Sequence, residues 1–325
     1  MVSRAVKPAR RSIDLLVVGE LNPDIIVHQP GLQPRFGQVE QVVDEVRLEI
    51  GSSSAIVACG AARLGLRVAF VGAVGDDPFG RFVLDGLTER GIDVAHCRVE
   101  ADVPTGATVI LSRGDDRAIL TAPGAMDRLT AADVPPGLIA ASRHLHVGGL
   151  FLQRGLRSGI EDLFRFARDA GASTSLDTNW DPAEAWAGLA PVLAHTDLFL
   201  PNAAEAAALT GDRDPESAAR SLAGQLAPDG TVAVKRGADG AVAVRGRRLV
   251  SSPGLTVESI DTTGAGDTFD AGMISALLDG VPLDDALRFA VVCGSLSVRA
   301  VGGTTAQPTK AEALAAMAIL ALGAR

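Results

Sequence analysis

The stretch Asp261–Asp279, DTTGAGDTFDAGMISALLD, constrains the fold more than any other part of the chain. It reads as a tight turn feeding a helix. Gly264, Ala265 and Gly266 are small enough for the backbone to approach a ligand closely. From Thr268 the pattern is helical, with Phe269, Met273, Ile274, Leu277 and Leu278 at helix-face spacings. Asp279-Gly280 is a helix stop, because Gly tolerates the left-handed cap conformation. N–H groups at such a helix start lack intrahelical acceptors and lie at the positive end of the helix dipole, which suits an anion. Asp267 falls in that first turn, where the dipole favours its ionised form. A carboxylate that can hold a hydroxyl proton, beside a cradle for developing negative charge, is what phosphoryl transfer to an alcohol requires. A capped structural turn explains the same residues taken alone.

Around this stretch short apolar strands alternate with helices, and polar residues collect just past the strand ends. Ile13–Gly19 reads as a buried first strand, followed by E-L-N-P-D with Asn22 and Asp24. In an open parallel sheet that edge is where ligands bind; an Asx turn before Pro23 is the plain alternative. Gly51–Gly65 is a small-residue helix with Ser52, Ser53 and Ser54 at its start, where a serine N-cap is expected. Val68–Val74 is a strand, and residues 75–80 turn into a helix over 81–90. Strands at Leu145–Leu150, Ser173–Leu176 and Thr196–Leu200, with a helix over 157–170, continue the rhythm. His144 and His146 share a strand face, but two histidines without a third ligand make a weak metal case, so buried or edge histidines are expected. Asp177 and Asn179 follow one strand, Asn202 and Glu205 the next. Asn202 and Glu205 have the spacing of a capping box. Thr231–Lys235 and Ala241–Val244 flank the turn K-R-G-A-D-G as a hairpin, and 288–299 is a further helix.

Two segments break the α/β rhythm. Residues 25–50 carry Pro30, Gly31, Pro34 and Gly37 before the strand-like Val39–Ile50. Residues 97–124 hold a strand at Thr105–Leu111, a turn R-G-D-D and a returning strand R-A-I-L-T. Together they predict a small sheet apart from the main one.

At 325 residues and 47% apolar content the chain can bury a large core. A net charge of −9 and the lack of basic clusters beyond the N-terminus argue against nucleic acid. No apolar run approaches the ~18 residues of a membrane span. Cys59, Cys97 and Cys293 are isolated, which favours free thiols in a reducing, cytoplasmic setting. The basic residues 1–12 read as a disordered extension before one large α/β domain over 13–325.

The string Asp261–Phe269 resembles the second signature of the ribokinase-like (PfkB-type) carbohydrate kinases, and the other motifs follow in that family's order up to about Gln307. The resemblance implies a three-layer α/β/α sandwich with a mostly parallel sheet, plus a β-lid over the sugar site that often forms a homodimer contact. It implies MgATP-dependent phosphorylation of a hydroxyl on a sugar or sugar-like small molecule. Asp267 would be the base, within an anion hole of Gly264, Ala265 and Gly266. Gly19, Asn22 and Asp24 match the family's substrate string, and Gly51 with Ser52 matches the start of its first signature. That signature is partial, with Ser52 at the usual second Gly and Ile56 at the usual Asn, so the acceptor is not named. Asn179, Asn202, Lys235, Gly237 and Thr262 would line the nucleotide site. Glu205 would organise Mg²⁺ through its waters, and Asp261 is the side-chain candidate for a monovalent cation such as K⁺.

Other chemistries fit less well. None of the three lysines (Lys7, Lys235, Lys310) follows a Gly, which removes the ordinary P-loop. A dinucleotide-binding dehydrogenase would need G-x-G-x-x-G after its first strand, and here E-L-N-P-D stands there. A nucleoside kinase of the same fold, or a non-catalytic sugar- or nucleoside-binding relic, stays open. Ser53 in the first signature offers no basic group for a phosphosugar, while Arg35, Arg47, Arg113 and Arg117 keep phosphosugars and sugar acids open.

Overall fold

The computed structural model describes residues 11–113 and 117–323. Strand β1 (Ile13–Gly19) is followed by β2 (Pro23–His28), β3 (Glu45–Ile50), helix α1 (Ser53–Arg63), β4 (Val68–Val71) and β5 (Ala73–Gly75). Helix α2 (Pro78–Glu89) leads to β6 (Arg98–Glu100), β7 (Ala107–Ser112) and β8 (Arg117–Ala122). Next come α3 (Pro136–Ala141), β9 (Ser142–Gly148), α4 (Arg154–Arg157), α5 (Ile160–Asp169), β10 (Ser173–Leu176), α6 (Ala190–Leu193) and β11 (Leu198–Phe199). Helices α7 (Ala203–Thr210) and α8 (Pro215–Ala223) precede β12 (Thr231–Lys235), β13 (Ala241–Arg245) and β14 (Arg248–Ser252). The helices α9 (Ala265–Leu278), α10 (Leu283–Ser297) and α11 (Lys310–Gly323) follow.

The main sheet has the order β14-β13-β12-β11-β10-β9-β1-β4. It is parallel from β12 to β4, and the hairpins to β13 and β14 are antiparallel. Its parallel strands are buried on both faces, as parallel sheets require, while the antiparallel edge strand β14 is partly exposed. On β1, Leu15 and Val17 pack with α1, α2, α9 and α10, while Leu16 and Val18 pack with α5, α6 and α8 on the opposite face. The two-residue side-chain period of a strand thus divides one apolar run between two cores, giving the expected three layers.

The second sheet has the order β3-β2-β7-β8, with β2 and β7 parallel and both outer pairings antiparallel. Its parts are narrower than the expected segments 25–50 and 97–124. Residues 39–44 are not strand, and β6 pairs with β5 in a separate two-stranded sheet. Residues 23–28, which read in sequence as a turn at Pro23 running into the inserted segment from Ile25, form the inner strand β2. Pro23 conceals that strand in the sequence, yet at the strand's first position its missing N–H costs no ladder bond. The strand expected over 68–74 divides at Gly72 into β4 and β5. The helix expected over 157–170 starts at Ile160, and α9 begins at Ala265 rather than Thr268.

Residues 1–10 of the expected extension and the centre of the R-G-D-D turn lie outside the described residues. Arg11 is tied down, its guanidinium donating to the carbonyls of Ser142 and Ala170. His144 and His146 are buried and bonded to Ser173 and Ser175, which fits the non-metal reading. The three cysteines are free thiols. Among the described residues no helix is long and apolar enough to cross a membrane.

Candidate active site

The polar residues expected at strand ends meet at the carboxyl edge of the main sheet, against the start of α9. Asp261 builds the loop before that helix. Its Oδ1 accepts from the N–H and hydroxyl of Thr263 at 2.9 and 2.7 Å, and its Oδ2 accepts from Gly302 N–H at 2.9 Å. Asp261 therefore organises the loop, and among the described residues it belongs to no metal-ligand cluster with Glu205. Gly264 is the N-cap, with φ of 72° and no side-chain capping bond. A Cβ there would lie 2.7 Å from the Gly303 Cα and 3.0 Å from Ile56 Cγ2, so only Gly fits. Ile56, at the position where an Asn was expected, packs under this loop against Gly264 and Gly303. The Ala265 N–H donates to Thr262 O at 3.3 Å. The N–H groups of Gly266 and Asp267 then have no acceptor among the described residues, an uncapped helix start suited to an anion.

Asp267 accepts a hydrogen bond from the Ser53 hydroxyl. Its pKa is pushed up to about 7, first by burial and then by the charge of Asp177; Ser53 and Lys235 act in the opposite direction. In sequence Ser53 is only one of three serines at a helix start. Ser52 instead caps α1, its Oγ accepting from Ala55 N–H at 3.1 Å and donating to Glu20 O. The hydroxyl of Ser52 is thus committed to the fold, and Ser53 is the serine that reaches the carboxylate.

Just past the end of β1, Asn22 Nδ2 donates to Thr108 Oγ1 of the small sheet at 3.1 Å. Asp24 is buried beside it, and its pKa is also pushed up to about 7, by burial and then by Asp267. Gly51 is required here, because a Cβ would fall 2.0 Å from Asp24 Oδ1. From β8 of the small sheet, Arg117 donates to Thr263 Oγ1 at 3.0 Å, linking that sheet to the loop before α9. Behind these residues Glu20 is fully enclosed. It accepts from Ser54 Oγ at 2.6 Å and Gln153 Nε2 at 3.1 Å, and burial raises its pKa. The sequence signals Glu20 only as a carboxylate directly after the first strand, which does not set it apart.

On the other side, Asn202 and Glu205 form the capping box in full. Asn202 Oδ1 accepts from Glu205 N–H, and Glu205 Oε2 accepts from Asn202 N–H, each at 2.9 Å. Burial, then Asp177, raises the Glu205 pKa to about 7. An open cleft of about 440 Å³ runs past Asn202, Ala203, Lys235, Arg236, Gly237 and Asp239. It joins three of the residues expected at a nucleotide site. Thr262 and Asn179 do not line it. Asn179 sits in a left-handed turn (φ 54°) whose N–H donates to Asp177 Oδ1 at 3.0 Å. Lys235 Nζ bonds Asp177 Oδ2 at 2.7 Å and both oxygens of Asp270 at 3.1 and 3.2 Å. Sequence reasoning misses Asp270, which looks like one more polar residue in a helix. An uncapped helix start and an open cleft, with only oxygen donors on the nearby carboxylates, fit a phosphate-bearing ligand with Mg²⁺.

Residues 12–310 match the family described as pfkB family carbohydrate kinase. A 2-dehydro-3-deoxygluconokinase of Bacillus subtilis is 33% identical over 78% of this chain and 82% of its own length. A ribokinase of Haemophilus influenzae is 31% identical over 92% of this chain and 97% of its own. A fructokinase of Klebsiella pneumoniae is 34% identical over 80% of this chain and 89% of its own. The Arabidopsis thaliana ribokinase solved with ribose and ATP has the same fold, with a TM-score of 0.80 at 24% identity over 94% of this chain and 98% of that one. A PfkB protein from Polaromonas superposes with a TM-score of 0.79 at 28% identity, covering 94% of this chain and 100% of that one. The loop and helix start built around Asp261–Asp267 lie within the matched span, and this chain belongs to the pfkB family of carbohydrate kinases.

Proposed function

We propose that this carbohydrate kinase transfers the γ-phosphoryl group of MgATP to a hydroxyl of a sugar or sugar-like acceptor, with Asp267 as the base. The observation that carries the reading is the position of Asp267. Its carboxyl lies at the uncapped start of α9, held by Ser53, with a pKa raised to about 7. A base poised near the working pH takes a hydroxyl proton most efficiently. The adjacent N–H groups of Gly266 and Asp267 would carry charge on the transferring group. Asn22, Asp24 and the Gly51 turn, with Ser52 behind it, hold the acceptor. Asn202, Lys235 and Gly237 border the nucleotide, with Asn179 and Thr262 at its margins.

Glu205 would hold Mg²⁺ through its waters, and the ion would supply neutralising charge for the nucleotide phosphates. The carbonyl oxygens of the loop beside Asp261 are the site for K⁺. The same lid that covers the sugar serves as a homodimer contact. Val46 and Leu48 on β3 and Leu120 on β8 are exposed apolar residues on one face of that sheet, which supports this assignment. The enzyme works in the cytoplasm, where its unpaired thiols stay reduced. The test is ATP turnover over a panel of sugars, sugar acids, sugar phosphates and nucleosides with Mg²⁺ and K⁺. One strong sugar-like acceptor supports the reading, and silence across the panel with ATP still bound overturns it.

A further inference from the structure

Beneath the start of α9 several carboxylates surround one ammonium. Carboxylate oxygens of Asp177, Asp267 and Asp270 lie within 4.8 Å of one another. Lys235 Nζ sits among them, 2.7 Å from Asp177 Oδ2 and 3.1 and 3.2 Å from the two oxygens of Asp270. An ammonium has three N–H donors, and these three acceptors take them all. The Lys235 side chain is 11% exposed, that of Asp177 3% and that of Asp270 0%, so the pairs are desolvated. A Cβ on Gly266 would lie 3.5 Å from Nζ, which places the ammonium against the backbone of the helix start. Lys235 also ends β12, and its own N–H donates to Pro201 O at 3.0 Å, next to the Asn202 cap.

We propose that Lys235, although it lines the nucleotide cleft, acts as a positioning residue for the base: its ammonium is bonded to Asp177 and Asp270, not to nucleotide phosphate. The role rests on Asp267 being the base. Lys235 ties together the ends of β10 and β12 and the first turns of α9, three segments that must stay in register for Asp267 to meet an acceptor. It also balances the buried charge of Asp177, which otherwise bears on Asp267, while burial and the Asp177 charge hold the Asp270 carboxyl well above its ordinary pKa. Removing one partner of a buried pair leaves an uncompensated charge, and small displacements of a catalytic group are costly to rate.

The experiment compares wild type, Lys235→Met, Asp177→Asn and the double variant as full chains. It reads kcat against pH, KM for ATP, and the MgATP dissociation constant by calorimetry. Lys235→Met is expected to lower kcat by about 10²-fold and move the acid limb of the profile to higher pH, with the MgATP dissociation constant held within about twofold. Adding Asp177→Asn removes the stranded carboxylate and is expected to recover about tenfold of the loss. A dissociation constant weakened by about tenfold or more, with an unmoved acid limb and no recovery, makes Lys235 a phosphate ligand and overturns the proposal. Should Lys235→Met fail to fold, the charge-balanced double variant separates the two roles through its MgATP affinity and pH profile. Unchanged turnover in Asp267→Asn would sink the base assignment and with it the positioning role, while the affinity measurement would still report whether Lys235 touches the phosphates.

Discussion

The Ser53 hydroxyl donates to Oδ1 of Asp267, so the starts of α1 and α9, 214 residues apart in sequence, meet at one carboxylate. The hydrogen bond favours the ionised form but is outweighed by burial and by Asp177, and the carboxyl titrates near 7. Asp267→Asn keeps the shape and removes the proposed base. Turnover is expected to fall by about 10²–10⁴, the scale of general-base loss, while calorimetric ATP affinity stays normal. Near-normal turnover would remove Asp267 from the reaction.

The same geometry fixes the sign of the pH dependence. A base must be ionised, so kcat should climb as pH rises through about 7 and level off above it. Ser53→Ala removes a bond that favours the carboxylate, so the acid limb should move to higher pH. A limb that stays in place, measured with saturating substrates, would show that Ser53 does not tune Asp267.

Stability should run in the opposite direction at Asp24. Its pKa is about 7 in the fold against 3.8 ordinarily, so between those values the folded state binds more protons than the unfolded chain. Stability from this group is fully present below the lower value, falls as pH rises and is lost above about 7. Asp24→Asn cannot ionise and escapes the loss, which amounts to roughly 4 kcal/mol at most. The Tm of the variant minus that of wild type should therefore grow from pH 5 to pH 7 and flatten beyond. A constant difference would mean that Asp24 is not held protonated.

The layers of the fold are legible in the sequence because each rests on local chemistry. Apolar runs ending in Gly mark β1 and β9, and the hairpin around K-R-G-A-D-G marks β12 and β13. Strand β2 is hidden by Pro23, whose ring reads as a turn unless the strand begins on it. The loop and helix start at Asp261–Asp267 are legible as a contiguous string. Ser53, Glu20 and Asp270 are not, because their roles depend on neighbours far away in sequence. Ser52 shows the converse. Its N-cap signal is local and holds in the fold, and that cap is what commits its hydroxyl.

Glu205 carries two readings that one substitution separates. As the third helical residue of the capping box, it accepts from Asn202 N–H at 2.9 Å, and a Gln amide oxygen can accept the same bond. As a proposed Mg²⁺ organiser it needs its negative charge, which Gln lacks. Glu205→Gln should therefore leave Tm nearly unchanged while raising the Mg²⁺ concentration for half-maximal turnover by about tenfold, the effect of losing ~1.4 kcal/mol of binding. Asn202→Ala does the reverse to the cap and should cost about 1 kcal/mol of stability in a denaturant titration. An unchanged Mg²⁺ dependence in Glu205→Gln would leave the residue a cap and nothing more.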